Sequence, residues 1–355
     1  MTTGATTPTG VTLRSRLTSL DGLRGLAALA VVVYHFGFRA SELYPELGSP
    51  ITAVSFGHYG VQLFFVISGF VIFMSLERAT VRSFVINRFI RLYPIYWICL
   101  IATFVIVLIF GLPGREVSPL EAVVNLTMFQ GYFGVTHVDG AYWTLVAELG
   151  FYIQIGVLYF TGMLTGKRAL PTLYVWLVLS VVASQAYRVL PGLLGDIAKN
   201  ISLGLIWIPL FICGIVFYRL WKGERSIALY ALPVLALAAM FVRDRELAVA
   251  SVVIFALFAL ALWGPSLILR TRPLIFLGEI SFVLYLLHQN IGYVIMRGLH
   301  SVGVPQLAAI VIALVVLIAA SGLVTYFIDV PLRRALKRRL LPARSVDSPP
   351  HTVAP

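Results

Sequence analysis

Ten stretches of this chain are too long and too apolar to be left in water. They are Leu23–Phe38, Gly57–Leu76, Leu92–Gly111, Ala141–Leu164, Pro171–Leu190, Ile201–Trp221, Ser226–Val242, Leu247–Gly264, Pro273–Met296 and Val304–Ile328. A bilayer core of roughly 30 Å takes about 20 residues of helix. A barrel strand takes only about ten alternating residues, so these runs exclude strands. The expected fold is an all-α integral membrane protein, a polytopic bundle of about ten transmembrane helices. Hydrophobic residues make up 59% of the chain and charged residues 12%. Soluble domains hold about 25% charged residues, so lipid must cover part of this surface. The first and seventh runs are the shortest. Ser118–Phe133 is apolar but carries Glu121, Asn125 and Gln130, and reads as an interfacial or re-entrant segment.

One membrane domain is expected over residues 18–334. Residues 1–17 read as a disordered cytoplasmic N-terminus, and 335–355 as a basic, then disordered, cytoplasmic tail. Arg14 and Arg16 before the first run imitate a signal peptide, but Phe38 sits where a cleavage site needs a small residue. With the N-terminus placed inside, 20 of the 27 Lys and Arg residues fall on the inner side. This asymmetry predicts both termini in the cytoplasm and an inner-membrane location. The net charge of +12 therefore reports topology, and no nucleic-acid partner is expected. Cys99 and Cys213 lie inside apolar runs, with neither disulfide nor zinc spacing. No metal-ligand cluster is visible.

Ionisable groups at membrane depth are costly, so each is a candidate for function. In SLDGLRGLAALAVVVYHF, Arg24 and His35 share a helix face about 16 Å apart along the axis, with Asp21 one turn before Arg24. An imidazole near mid-bilayer suits removal of a hydroxyl proton. A histidine bonded to a neighbouring helix is an equal reading. Arg24 and Asp21 could be a boundary anchor and a helix cap. Glu148, in AYWTLVAELGFY, could pair with another span or orient an imidazole. Trp143 could be an interfacial belt residue. Arg88 and Arg91, one turn apart in the inner loop and start of the third span, are topology anchors or a clamp for phosphates. Glu279 and His288, nine apart, face opposite ways on the ninth span. His288 is placed for acceptor binding or for a packed polar contact. Asp329 and Arg333 have the spacing of a helix salt bridge. Gly60, Ser68 and Gly69 are small residues suited to close packing, and Ser68 has no base beside it in sequence.

Taken together and in order, the first-span segment, GVQLFFVISGF, RFIRLYP, WTLVAELGFY and LGEISFVLYLLH resemble the integral-membrane acyltransferase-3 family. Its members include O-antigen and exopolysaccharide acetyltransferases and macrolide acyltransferases. The resemblance covers roughly residues 18–334. It implies transfer of an acyl group, usually acetyl, from cytoplasmic acyl-CoA to a hydroxyl of a carbohydrate acceptor. No tightly bound cofactor is implied, since acetyl-CoA is a substrate. It implies His35 as the essential histidine, with Glu148 as a possible orienting carboxylate. Arg24, Arg88 and Arg91 would serve the donor, with Asp21 and Tyr93 beside them, and Trp143 and His288 the acceptor. The chain departs from the family pattern where Leu149 follows Glu148 and where TYFIDVP carries Asp329 in place of the usual glutamate. The extracytoplasmic esterase-like domain of some members is not expected within these residues. The rival reading is a proton-coupled transporter or flippase. It would predict an inverted repeat, and none is visible. Oligomeric state is not legible.

Overall fold

Among the described residues each of the ten apolar runs is largely helical. The computed structural model describes residues 13–189 and 204–341. Expectations for residues 1–12, for 190–203 between the fifth and sixth runs, and for 342–355 fall outside the described residues. The long helices are α1 (Leu13–Tyr34), α2 (Gly60–Leu76), α3 (Val81–Phe110), α4 (Trp143–Phe160) and α5 (Ala169–Val189). They continue as α6 (Ile208–Trp221), α7 (Ile227–Arg243), α8 (Arg245–Trp263), α9 (Arg272–Ser301) and α10 (Gln306–Val324), followed by α11 (Val330–Leu340). No strand occurs among the described residues. Among those residues, seven helical stretches are long and apolar enough to cross a membrane, and α6 and α7 are shorter apolar helices. Side chains such as Val175, Val178, Leu179 and Val182 line the outward face of α5, each more than half exposed. An outward apolar belt of this kind needs lipid around it.

Several boundaries differ from the expected ones: α1 starts at Leu13, inside the stretch expected to be disordered, and α6 at Ile208 rather than Ile201. Helix α3 starts at Val81, not Leu92, so Arg88 and Arg91 are helical rather than in a loop. A capping box starts it: the Thr80 hydroxyl accepts the Ser83 N–H, and the Ser83 hydroxyl accepts that of Thr80. Ser118–Phe133 holds one short helix, Pro119–Asn125, and then turns against α3, where Tyr96 and Trp97 donate to the carbonyls of Asn125 and Leu126.

Helices α1 and α9 form the centre and cross closely. A Cβ on Gly278 would collide with the Asp21 carbonyl, and one on Gly25 with that of Leu274. Gly69 of α2 and Gly214 of α6 make a second close crossing. Two five-residue π-turns interrupt the pattern, His35–Arg39 after α1 and Thr325–Asp329 after α10. Such turns break helical register and concentrate at functional sites. Cys99 and Cys213 are buried free thiols.

Candidate active site

The first π-turn opens on His35. Its Nδ1 lies 2.8 Å from the Val31 carbonyl and 3.2 Å from Nε2 of His288 on α9. The rings meet edge to face at 4.7 Å. These contacts settle the tautomers. Nδ1 of His288 lies 2.7 Å from the Tyr285 carbonyl, which can only accept, so that nitrogen carries the proton. In a neutral ring its Nε2 is then an acceptor. Nδ1 of His35 faces two acceptors and must be the donor, which leaves the lone pair of His35 on Nε2. His35 thus turns its Nε2 away from the pair, and His288 holds its other edge.

Position 288 is itself held. The Asp139 carboxylate accepts the backbone N–H of Asn290 at 2.9 Å and that of Ala141 at 2.8 Å. The Tyr142 hydroxyl donates to the Leu286 carbonyl at 3.0 Å. A regular helix pairs the N–H of residue 290 with the carbonyl of residue 286. The segment ahead of α4 therefore grips α9 at both of these groups, either side of His288. The Asn290 amide adds a bond to the Val138 carbonyl at 2.8 Å. Asp139 is fully buried, and that burial pushes its carboxyl up to about 6. Sequence reasoning missed this residue. Its signal was an aspartate directly before the apolar run, an ordinary helix-start pattern.

Glu148 does not join the histidines. Its carboxylate accepts the Ser68 hydroxyl at 3.0 Å and the Tyr152 hydroxyl, and no bond or ion pair links it to His35. Ser68 does more than pack: it is tied to a carboxylate 80 residues away. Glu148 instead lines a cavity of about 810 Å³, counting its mouth. Arg24, Arg88 and Arg91 line the same cavity. Arg24 donates to Ser281 at 3.4 Å. Arg88 lies over the Tyr152 ring and Arg91 over Phe282. Tyr285 is also in the wall; its hydroxyl bonds Thr144 at 2.8 Å and its ring lies 5.3 Å from that of His288. One tyrosine thus stands between the arginine-lined cavity and the histidine pair.

The remaining candidates sit elsewhere. Asp21 pairs loosely with Arg24 at 4.0 Å and lines a neighbouring hollow rather than this cavity. Tyr93 turns away, donating to the Thr127 carbonyl and lining an apolar groove between α3 and α4. Trp143 packs on Phe65 and Trp207 rather than into the cavity. His288 is fully buried and bonded to His35. Glu279 accepts the Tyr326 hydroxyl, so it and His288 are indeed separate, and Asp329 pairs with Arg333 at 2.6 Å. Among the described residues no cluster suits a metal ion.

Residues 17–326 match the acyltransferase domain of the acyltransferase-3 family. The chain belongs to that family. It is an acyltransferase, built as a polytopic helical membrane protein. Acyltransferase MdmB of Streptomyces mycarofaciens is 25% identical over 96% of this chain and 97% of its own length. Putative peptidoglycan O-acetyltransferase YrhL of Bacillus subtilis is 24% identical over 90% of this chain and 56% of its own length. Putative acetyltransferase ORF330 of Acidianus two-tailed virus is 25% identical over 75% of this chain and 80% of its own length. The chain thus spans nearly all of the first and little more than half of the second. No solved structure matches it.

Proposed function

We propose that the protein is a membrane O-acetyltransferase that moves acetyl from acetyl-CoA to a hydroxyl of a carbohydrate acceptor. The observation that carries this reading is the His35–His288 pair, its tautomers set by carbonyls, one side chain away from an arginine-lined cavity. The arginine end faces the cytoplasm, with both termini, as the basic asymmetry requires. The donor enters at the Arg24–Arg91 end, Arg88 lines its path, and its acyl arm runs toward Tyr285. The acceptor comes from the opposite end.

His35 Nε2 takes the proton of the acceptor hydroxyl as its oxygen attacks the thioester carbonyl. The imidazolium that forms shares its Nδ1 proton with the His288 Nε2 lone pair and the Val31 carbonyl, which stabilises its charge. The tetrahedral intermediate collapses, the C–S bond breaks, and the thiolate takes the proton back from His35. A thioester is already activated, so acid–base help and positioning are enough. Support for the acetyl group and the glycan comes from relatives whose names state O-acetyl transfer to peptidoglycan. The test is purified protein in sealed proteoliposomes with acetyl-labelled acetyl-CoA and candidate glycans. Label in the glycan, lost in His35→Asn, supports the reading. Label moving only with intact substrates across the membrane would overturn it.

A further inference from the structure

A second cavity adjoins the first at its basic end. It is lined by Asp21, Arg24, Arg91, Glu279, Arg333 and Arg334, among others, and encloses about 760 Å³ counting its open side. Arg24 and Arg91 line both cavities and so form the neck between them. The outer wall is built by the second π-turn and α11, whose sequence VPLRRALKRRL carries Arg333 and Arg334 one after the other. The family match ends at residue 326, before either arginine.

Charge in this outer cavity is unbalanced. Asp21 lies 4.0 Å from Arg24, Asp329 is paired with Arg333, and Glu279 takes the Tyr326 hydroxyl. Among the described residues, Arg91 and Arg334 have no carboxylate within ion-pair distance. Anchoring to the membrane surface would need only basic residues at the interface. Here four guanidinium groups from three parts of the chain line one hollow, three of them half-buried and Arg334 exposed at its rim, which leaves a cationic mouth suited to an anion. Along α9, nine residues separate Glu279 at this mouth from His288, about 14 Å of helix. The inner cavity fills that interval.

We propose that Arg333 and Arg334, with Arg24 and Arg91, form the binding site for the phosphate groups of the nucleotide end of the thioester donor. The site extends the donor cavity outward beyond the matched domain, and it rests on the acyl-CoA reading above. The pantetheine arm then threads the Arg24–Arg91 neck, and the phosphates remain in the outer cavity where guanidinium forks can hold them.

Binding measured without turnover tests this. Calorimetry on full-length protein in nanodiscs of zwitterionic lipid would compare CoA with pantetheine, which lacks the phosphates. Arg334→Gln and Arg333→Gln are each expected to weaken CoA binding about tenfold and to leave pantetheine binding unchanged. Arg334→Lys should recover only part of the loss, because a point charge cannot fork. Arg334 has no ion pair to break, so its variant is the safer folder. Unchanged CoA affinity in folded Arg334→Gln would overturn the proposal. So would an effect that appears only when anionic lipid is added, which would assign these arginines to lipid headgroups. Wild-type acetyl transfer with unchanged CoA binding in the variants sinks this site alone. Arginine-dependent CoA binding without acetyl transfer sinks the function and spares the site.

Discussion

Replacing Asp139 with alanine should loosen α9 exactly where His288 sits. The carboxylate satisfies two buried backbone donors, the N–H groups of Ala141 and Asn290. Leaving a buried donor unpaired costs roughly 1–3 kcal/mol, so the two together cost roughly 2–6 kcal/mol. Asparagine has one acceptor oxygen and can serve one donor, so Asp139→Asn should cost about half as much. The loss has a pH signature. Burial pushes the Asp139 carboxyl up to about 6, so between about pH 4 and 6 the folded protein holds a proton that the unfolded chain has released. Stability from this group is therefore fully present below the ordinary carboxylate range and is lost as pH rises through 6, by about 3 kcal/mol at most. Asparagine does not titrate. The wild type's lead in Tm over Asp139→Asn, read by tryptophan fluorescence in detergent, should shrink between pH 4.5 and 7.5. A lead that is constant or grows with pH would refute the reasoning. Acetyl transfer by Asp139→Asn should also fall several-fold, through displacement of His288.

Four further outcomes are expected. His288→Ala should lower kcat about 10- to 100-fold with donor affinity unchanged, since His288 acts through His35 and away from the donor; a change confined to acceptor KM would instead restore His288 as an acceptor contact. Tyr285→Phe loses two bonds, the one accepted from Thr144 and the one donated to the Ala141 carbonyl, together worth about 1–3 kcal/mol, and should lower Tm in thermal melts; a gain in Tm would contradict that. Arg88→Ala and Arg91→Ala should raise the donor KM more than the acceptor KM, and wild-type values for both would leave these residues as topology anchors. Cysteines placed beside Ser226 and beside Val302 should label from opposite sides of the membrane, with the Ser226 side cytoplasmic; the reverse pattern would invert the topology.

The helices were legible because apolar runs of this length allow little else. The start of α3 was not. Arg82, Arg88 and Arg91 break the apolar run, so hydropathy stops at Leu92, while the Thr80–Ser83 box and the rings under Arg88 and Arg91 carry the helix back to Val81. The shared face of Arg24 and His35 was legible from helical period, and both side chains meet α9. The partner of His35 was not, because the contact joins residues 253 apart in sequence and depends on a π-turn that no period announces. Glu148 was legible as a charged group inside an apolar run, but its direction depends on how α2 and α4 cross, which brings it to Ser68. Asp139 was overlooked because its partner is backbone, and a backbone N–H leaves no mark in a sequence.

The most direct test of the account is the turnover of His35→Asn in nanodiscs, with CoA affinity and Tm measured on the same preparation. Asparagine keeps polar atoms at this site but cannot take the acceptor's proton. The account predicts a fall in acetyl transfer of about 10²–10⁴-fold, with CoA binding and melting close to wild type. Near-normal transfer by a folded His35→Asn would contradict it, and would leave the histidine pair as packing.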